Sequence, residues 1–280
     1  MRLNPLLALS AFALLGPAAA MAADPPVIGL VTKTETNPFF VKMKEGAAEA
    51  AKAKGAKLLS GAGKTDGDNA GQVTAMENMI NAGAKTILIT PSDSKAIIPA
   101  IKKAREKGVL IIALDSPTDP ADATDALFAT DNYKAGVLIG EYAKAAMAGK
   151  PAKIITIDLL PGHPVGAQRH NGFLKGMGLT TFEAKSNELA KPAEVVCMAD
   201  GFGDQAKSQT AMENCLQKVP SVDVVYTINE PAAAGVEYAK SGKKASGYVD
   251  TGVTLIAKNP VAGVESKDTK TGTDLCWGKK

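Results

Sequence analysis

The residues best suited to chemistry follow predicted apolar strands. Asn37-Pro38-Phe39-Phe40 follows the first strand, and Asp115 ends the run Ile-Ile-Ala-Leu. Two adjacent aromatic rings cannot both face the core from one helix, so one is free to stack on the C–H face of a sugar. The Asp115 carboxylate can accept hydrogen bonds from neighbouring hydroxyls of a neutral polyol. The structural alternatives are a buried ring and an aspartate that starts a turn before Ser116-Pro117.

Two polar side chains take similar positions in the second half. Arg169 lies at the start of a helix after the strand predicted at 154–157, and Asn229 follows a strand that ends at Thr227. Both suit hydroxyl groups, although each alone is also explained as a surface residue. Ligands of open α/β sheets bind beyond the carboxyl ends of the strands, so these positions predict a binding site there.

Other motifs do not indicate catalysis. Gly61-Ala62-Gly63-Lys64-Thr65 resembles half a P-loop, but Leu58 stands where the first glycine is required. His163 and His170 are seven residues apart with no third metal ligand in view. No G-x-S-x-G motif is present. We therefore predict no enzyme activity, no metal site and no cofactor.

The elements that must position these residues alternate along the chain. Apolar runs rich in Ile and Val suit a parallel sheet covered on both faces. Their alternation with Ala/Lys-rich helices predicts an α/β doubly wound fold. Strands are predicted at 27–31, 57–59, 86–90, 109–114, 154–157 and 222–227, and helices at 39–54, 70–81 and 94–107.

An internal repeat divides the chain. Thr74-Ala75-Met76-Glu77-Asn78 recurs as Thr210-Ala211-Met212-Glu213-Asn214, and Asp68 matches Asp204 at the same offset of 136 residues. Chance similarity of two amphipathic helices is the alternative. The repeat predicts two similar lobes that change over near 129–133.

The repeat also predicts a gap. The step of 41 residues from Thr74 to Asp115 leads from Thr210 to Thr251, where no comparable apolar run is found. The second lobe is therefore expected to lack a strand, a strand–helix unit, or both.

Composition is that of a globular protein. The 280 residues are 45% hydrophobic and 22% charged, which excludes disorder, and the net charge of +3 does not indicate a nucleic-acid or anionic membrane partner. No apolar run after residue 22 reaches membrane-spanning length.

Residues 1–22 are typical of an export signal. Arg2 precedes an apolar stretch over 6–15, and Ala20-Met21-Ala22 has the small-x-small pattern of a cleavage site. A buried helix is the alternative, but Gly16-Pro17 would end it early. Export predicts an oxidising compartment for the three cysteines. Spacing and helix placement favour a Cys197–Cys215 disulfide, with Cys276 left over.

The pattern as a whole resembles a known family, the periplasmic sugar-binding proteins of ABC importers, and within it the ribose- and fructose-binding group. The fructose-binding members are most similar, through Gly67-Asp68-Asn69, Asp200-Gly201-Phe202 and Cys276-Trp277-Gly278. The other matching runs are Ile28–Phe40, Ile89-Thr90-Pro91-Ser92-Asp93, Ala113-Leu114-Asp115, Ala129-Thr130-Asp131-Asn132 and Thr227-Ile228-Asn229-Glu230-Pro231.

This resemblance implies a monomeric periplasmic clamshell that binds a monosaccharide, fructose first and ribose, mannose or xylose as alternatives, and delivers it to a membrane permease. Its lobes would be 24–131 plus 236–250 and 132–235 plus 251–280. A sugar or autoinducer sensor that docks to a chemoreceptor is the alternative function. The implied ligand-binding residues are Asn37, Phe39, Phe40, Asp68, Asn69, Asp115, Thr130 near the hinge, Arg169 and Asn229.

The chain departs from the family near Gly235–Val236. Family members continue there with a helix, an apolar strand ending in Asp-Gly, and a crossing strand with a ligand-binding glutamine. Here Gly235 leads into a stretch like the last helix of the first lobe. The resemblance thus implies a deletion that removes hydrogen-bonding groups and weakens binding.

Overall fold

The computed structural model describes residues 24–148, 150–219 and 221–241. The predicted signal segment 1–22, Cys276 and the predicted lobe segment 251–280 lie outside these residues. The strands are β1 Val27–Thr32, β2 Lys57–Ala62, β3 Thr86–Ile89, β4 Leu110–Leu114, β5 Ala126–Phe128, β6 Ile154–Asp158, β7 Val195–Asp200 and β8 Val224–Thr227. The helices are α1 Pro38–Ala53, α2 Asn69–Asn81, α3 Ile98–Glu106, α4 Asn132–Ala146, α5 Pro164–Met177, α6 Gln205–Lys218 and α7 Glu230–Ser241.

Two parallel sheets form the cores of two lobes. The first has the order β2-β1-β3-β4-β5 and the second the order β7-β6-β8. In the first sheet, Ile87 on β3 lies opposite Ile111 on β4, and both are fully buried. All five residues of β6 are buried in the second. Burial on both faces explains the continuous apolar runs and confirms the predicted α/β fold.

The internal repeat is visible in the structure. The arrangement β2-β1-β3 recurs as β7-β6-β8, and the repeated sequence lies in α2 and α6. Asp68 caps α2 by accepting from the Gly71 backbone N–H, and Asp204 caps α6 by accepting from Lys207 N–H. The prediction of two similar lobes is therefore confirmed.

Within the described residues the second sheet has three strands where the first has five. α7 runs through Gly235–Val236 without a break, and Val236 is buried in the second lobe against Ile155 and Met212. The predicted assignment of 236–250 to the first lobe begins within this helix, but most of that range lies outside the described residues. The lobe boundaries and the deletion stay predictions.

Helices α4 and α5 approach each other unusually closely. Gly136 and Gly140 on α4 face Gly172 and Gly176 on α5, and a Cβ at any of these positions would overlap backbone atoms of the other helix. The spacing of four residues puts each pair on one helix face. These glycines are therefore required by the contact between the two helices.

Some element boundaries differ from the predicted ones. Helix α3 begins at Ile98, not at 94, because Pro99 occupies its first turn and Asp93 instead accepts from the N–H groups of Lys95 and Ala96. β5 and β7 were not predicted. β5 has three residues, and Phe128 at its end is exposed. A short edge strand has too little apolar periodicity to stand out in a sequence.

A disulfide joins Cys197 on β7 to Cys215 on α6, with the Cα atoms 5.8 Å apart. The bond ties a strand to the helix that follows it and closes a loop with a sequence separation of 18 residues. These are the two cysteines that the sequence predicts to form a disulfide.

Candidate binding cleft

A buried lysine lies at the carboxyl end of β1. Lys33 directly follows the strand, and only 3% of its surface is exposed. Its Nζ lies 3.0 Å from His163 Nε2 and 3.9 Å from Asp115 Oδ2. His163 comes from the second lobe, immediately before α5. The ammonium group therefore connects the two lobes.

Asp115 directly follows β4 and stands in a strained conformation. Its φ of 62° lies in the left-handed region, which costs free energy for a residue with a side chain. Its backbone N–H donates to the carbonyl of Phe128 on β5, and its Oδ2 accepts from the Ser116 hydroxyl. The backbone conformation thus fixes the carboxylate near Lys33, as expected of a functional position.

Arg169 is held by hydrogen bonds within the second half of the chain. Its Nε donates to Asn132 Oδ1 at 2.8 Å, and its Nη1 donates to the carbonyl of Ile228 at 3.0 Å. The adjacent Asn229 donates from Nδ2 to the Gly203 carbonyl and accepts from Ala232 N–H. The loop after β8 and the second turn of α5 therefore meet at one place.

Asp66 brings a further carboxylate to this place from the loop after β2. A Cβ built on Gly203 would lie 3.0 Å from Asp66 Oδ2 and 2.8 Å from Asn229 Nδ2. The two lobes therefore touch through a glycine. Burial raises the pKa of Asp66, while the nearby Lys33 charge lowers it.

The charges of the cleft are partly removed from water. Burial lowers the pKa of Lys33, and Asp115 and Asp66 oppose that shift. Arg169 adds a second positive charge that destabilises the lysine ammonium. The two cations are thus offset by two carboxylates, and a neutral ligand would leave this balance unchanged.

A buried glutamine fixes the strand ends behind Lys33. Gln72 is fully buried, and its Nε2 donates to the carbonyls of Thr32 at the end of β1 and of Thr90 after β3. Its Oε1 accepts from Ser92 N–H. The side chain thus supplies hydrogen bonds to backbone groups where the ladder between the strands ends.

Three predicted ligand-binding residues of the first lobe lie in or beside α1. Asn37 is the N-cap of α1, and its Oδ1 accepts from Phe39 N–H at 3.0 Å. Phe40 is 4% exposed and Phe39 is 48% exposed, and the two rings meet edge to face at 5.4 Å. One ring is thus in the core and the other is available to a ligand.

Two other predicted residues, Asp68 and Asn69, bond to backbone groups, and a third, Thr130, is exposed. Asp68 accepts from Lys64 N–H and Gly71 N–H, and these two bonds lower its pKa. Asn69 donates to the Ala96 carbonyl, while its Oδ1 is buried without a partner among the described residues. Thr130 is exposed and lies before the Asp131 cap of α4. The structure groups Asp115, Arg169 and Asn229 around Lys33 and Asp66, whereas no described hydrogen bond joins the side chains of Asp68, Asn69 or Thr130 to that group.

Sequence reasoning missed Lys33, His163, Asp66 and Asn132. Lys33 had a usable signal, since it is the first charged residue after the apolar strand 27–31, as Asp115 is after 109–114. His163 precedes Pro164, which favours the first turn of a helix. Neither signal says that the two side chains meet, because that contact joins residues 130 positions apart.

No group of three metal-ligating side chains occurs among residues 24–148, 150–219 and 221–241. No helix in that same part of the chain is long and apolar enough to span a membrane. A cavity of about 490 Å³ lies beside the disulfide, between β7 and α6, away from the charged cluster. Its lining is largely that of one helix face, so the charged cleft remains the candidate site.

Comparison with known proteins gives a consistent result. The chain is similar to the ribose import binding protein RbsB of Bacillus subtilis, with 31% identity over 77% of this chain and 66% of that protein. It is 30% identical to RbsB of Escherichia coli over 81% of this chain and 71% of that protein.

Solved structures agree in fold. A periplasmic solute-binding protein from Actinobacillus succinogenes with bound D-allose has a TM-score of 0.66 and 27% identity, covering 78% of this chain and 74% of that one. A solute-binding protein from Agrobacterium radiobacter in complex with D-arabinose has a TM-score of 0.68 and 25% identity, covering 79% and 72%.

A family model described as "Periplasmic binding protein domain" matches residues 28–264, most of the chain. The family consists of substrate-binding proteins, so the chain is not an enzyme. On this match and on the two-lobed parallel fold, the chain belongs to the periplasmic binding protein family.

Proposed function

We propose that this chain is the periplasmic substrate-binding component of an ABC sugar importer, which binds a monosaccharide between its lobes and delivers it to a membrane permease. The observation that carries the proposal is the buried contact of Lys33 with Asp115 and His163 across the cleft. The relatives named for ribose support a sugar as the class of ligand.

The side chains of the cleft suit the hydroxyl groups of a sugar. A hydroxyl both donates and accepts, so one hydroxyl can accept from Lys33 and donate to Asp115. The distance of 3.9 Å between these two groups is too long for a direct hydrogen bond. Arg169 and Asn229 offer the same kind of contact from the second lobe.

The neutral charge balance favours an uncharged ligand. Lys33 and Arg169 are offset by Asp66 and Asp115, and the lysine is buried. A sugar acid or sugar phosphate would add a negative charge to a desolvated site that is already compensated, which is costly. A neutral sugar adds hydrogen bonds without this cost.

The sequence resemblance favours D-fructose as the sugar. The relatives described above are named for ribose import, and one of the similar solved structures holds D-allose, so these aldoses belong in the same test. If the predicted deletion near Gly235–Val236 has removed ligand-binding groups, affinity is reduced about tenfold for each 1.4 kcal/mol of lost interaction.

Thermal unfolding of the purified protein with added sugars tests this proposal. A ligand at about 100 times its Kd stabilises the native state by about 2.7 kcal/mol, which raises the midpoint by roughly 5 to 10 °C for a chain of this size. We expect such a shift with one or more of D-fructose, D-ribose and D-allose, and none with the anion D-gluconate. Unshifted melting with every sugar would contradict the proposal.

A further inference from the structure

His163 crosses the cleft from the second lobe. It precedes α5 without capping it, since its side chain makes no hydrogen bond to the helix N-terminus. The residue is 4% exposed, and its Nε2 lies 3.0 Å from Lys33 Nζ. The ring also lies near the Pro91 backbone of the first lobe. It is therefore in contact with groups of the opposite lobe.

The contact with Lys33 fixes the protonation of the ring. A lysine ammonium only donates, so His163 Nε2 must accept and the single ring proton must be on Nδ1. Burial, followed by the charges of Lys33 and Arg169, lowers the pKa of His163 to about 2, although a hydrogen bond with the Pro91 backbone opposes the shift. The ring is thus neutral at ordinary pH.

Within the part of the chain that the structure describes, the contact also leaves Lys33 with donors that no other residue accepts. An ammonium group has three N–H bonds, and His163 takes one of them. Asp115 lies within ion-pair distance but beyond hydrogen-bond distance. A single hydroxyl group can therefore accept from the ammonium group and donate to the carboxylate.

We infer that His163 is a positioning residue of the binding site: it accepts a hydrogen bond from Lys33 across the cleft and so holds the ammonium where it and Asp115 bind one sugar hydroxyl as donor and acceptor. This inference rests on the proposed function. It adds a role for His163 that depends on both lobes, because Lys33 has its ring partner only when the lobes are closed.

Isothermal titration of variants with D-fructose, D-ribose and D-allose tests the inference. His163→Phe fills the same space without an acceptor, and His163→Gln restores an acceptor near the Nε2 position. We expect His163→Phe to weaken sugar binding on the order of 10- to 100-fold, and His163→Gln to recover most of the loss. The double variant His163→Phe/Lys33→Met should bind sugar only slightly more weakly than Lys33→Met alone, because both changes remove the same contact.

The matched control is His170→Phe, a second buried histidine seven residues away that does not touch Lys33. Its effect on affinity should add to that of Lys33→Met, since the two do not share a contact. Additive effects of the His163 and Lys33 changes on affinity, or wild-type affinity in His163→Phe, would overturn the inference. The proposed function would still stand as long as the wild-type protein binds a sugar.

Imidazole ¹⁵N NMR of the wild-type protein gives a second readout that does not depend on the folding of a variant. We expect the His163 ring to be neutral with its proton on Nδ1, and its Nε2 signal to shift in Lys33→Met. An Nε2–H tautomer would overturn the inference. If the wild-type protein binds none of the three sugars, the proposed function fails and the inference fails with it, whatever the tautomer.

Discussion

His163 and His170 take opposite protonation states although they lie at the same helix. His163 Nε2 accepts from Lys33, which requires a neutral ring. His170 instead faces two acceptors: its Nδ1 lies 2.9 Å from Asp158 Oδ1 and its Nε2 lies 2.9 Å from the Ala190 carbonyl. Both nitrogens of His170 therefore donate, which requires an imidazolium ion.

The two histidines should consequently titrate apart. Burial opposes the charge of His170, but the hydrogen bond and the charge of Asp158 raise its pKa above the usual value, whereas the pKa of His163 is lowered to about 2. In a ¹H NMR titration over roughly pH 4 to 9, one ring should have a midpoint above the ordinary value and the other should not titrate. His163→Gln serves to assign the silent signal.

The effects on stability have opposite signs. The contribution of His170 is fully present below its unfolded pKa, near 6.5, and is lost as the pH rises through the raised folded pKa. The contribution of His163 is lost as the pH falls below the unfolded-state pKa, near 6.5, because only the unfolded chain then binds the proton. Two rings that both titrate near 6.5 would contradict the described contacts.

At this scale the sequence predicted which residue types lie at strand ends but not which side chains meet. Asp115 was predicted to follow its strand, and it does. Lys33 was missed, although its position after β1 is equally simple. Its role became visible only through burial and through contact with a residue of the other lobe, and neither can be read from local spacing.

Among the elements, α4 and α5 are in close backbone contact. Gly140 has no room for a side chain, because a Cβ there would overlap the backbone of Phe173 on α5. Close approach of this kind increases dispersion contacts along both helices. It also holds α5 and the residues that α5 presents to the cleft, including Arg169.

Gly140→Val should therefore destabilise the protein through overpacking by about 1 to 3 kcal/mol or more. Gly46→Ala is the matched control, since Gly46 is inside helix α1 with nothing within 4 Å of its Cβ position. That change should stabilise by roughly 0.5 to 1 kcal/mol, because alanine favours helices. Urea unfolding gives both values, and a Gly140→Val protein as stable as the wild type would contradict the close contact.

Strands and helices with strong periodicity were predicted well, and short or capped elements were not. β1 and β4 agree within one residue with the predicted ranges. α3 starts four residues late because Pro99 and the Asp93 side chain define its entry. β5 is too short for a pattern. These boundaries depend on local side-chain hydrogen bonds and on pairing between strands. The spacing of apolar residues indicates neither of these.

The whole molecule places a buried charged cluster between two similar sheets. The repeat in the sequence predicted the similarity of the lobes, and the shared strand order confirms it. The contact between the lobes was not predictable, since it depends on how the two sheets face each other. The first lobe contributes Lys33, Asp66 and Asp115 to this cluster. The second lobe contributes His163, directly before α5, and Arg169, within α5.

This arrangement gives Asp115 a central part in the proposed binding. Its carboxylate lies beside Lys33 and is held there by a strained backbone. Asp115→Asn keeps the shape but removes the charge that both balances Lys33 and strengthens hydrogen bonds to hydroxyls. Asp119→Asn is the matched control, since Asp119 is a half-exposed aspartate of the same lobe paired with Lys95 at the surface.

Isothermal titration of the purified protein with D-fructose, D-ribose and D-allose tests whether this chain binds a neutral sugar through Asp115. We expect one-to-one binding of at least one sugar to the wild-type protein and to Asp119→Asn, and binding weakened on the order of 10- to 100-fold in Asp115→Asn. No heat with any of the three sugars, or equal affinity in Asp115→Asn and the wild type, would contradict sugar binding at this cleft.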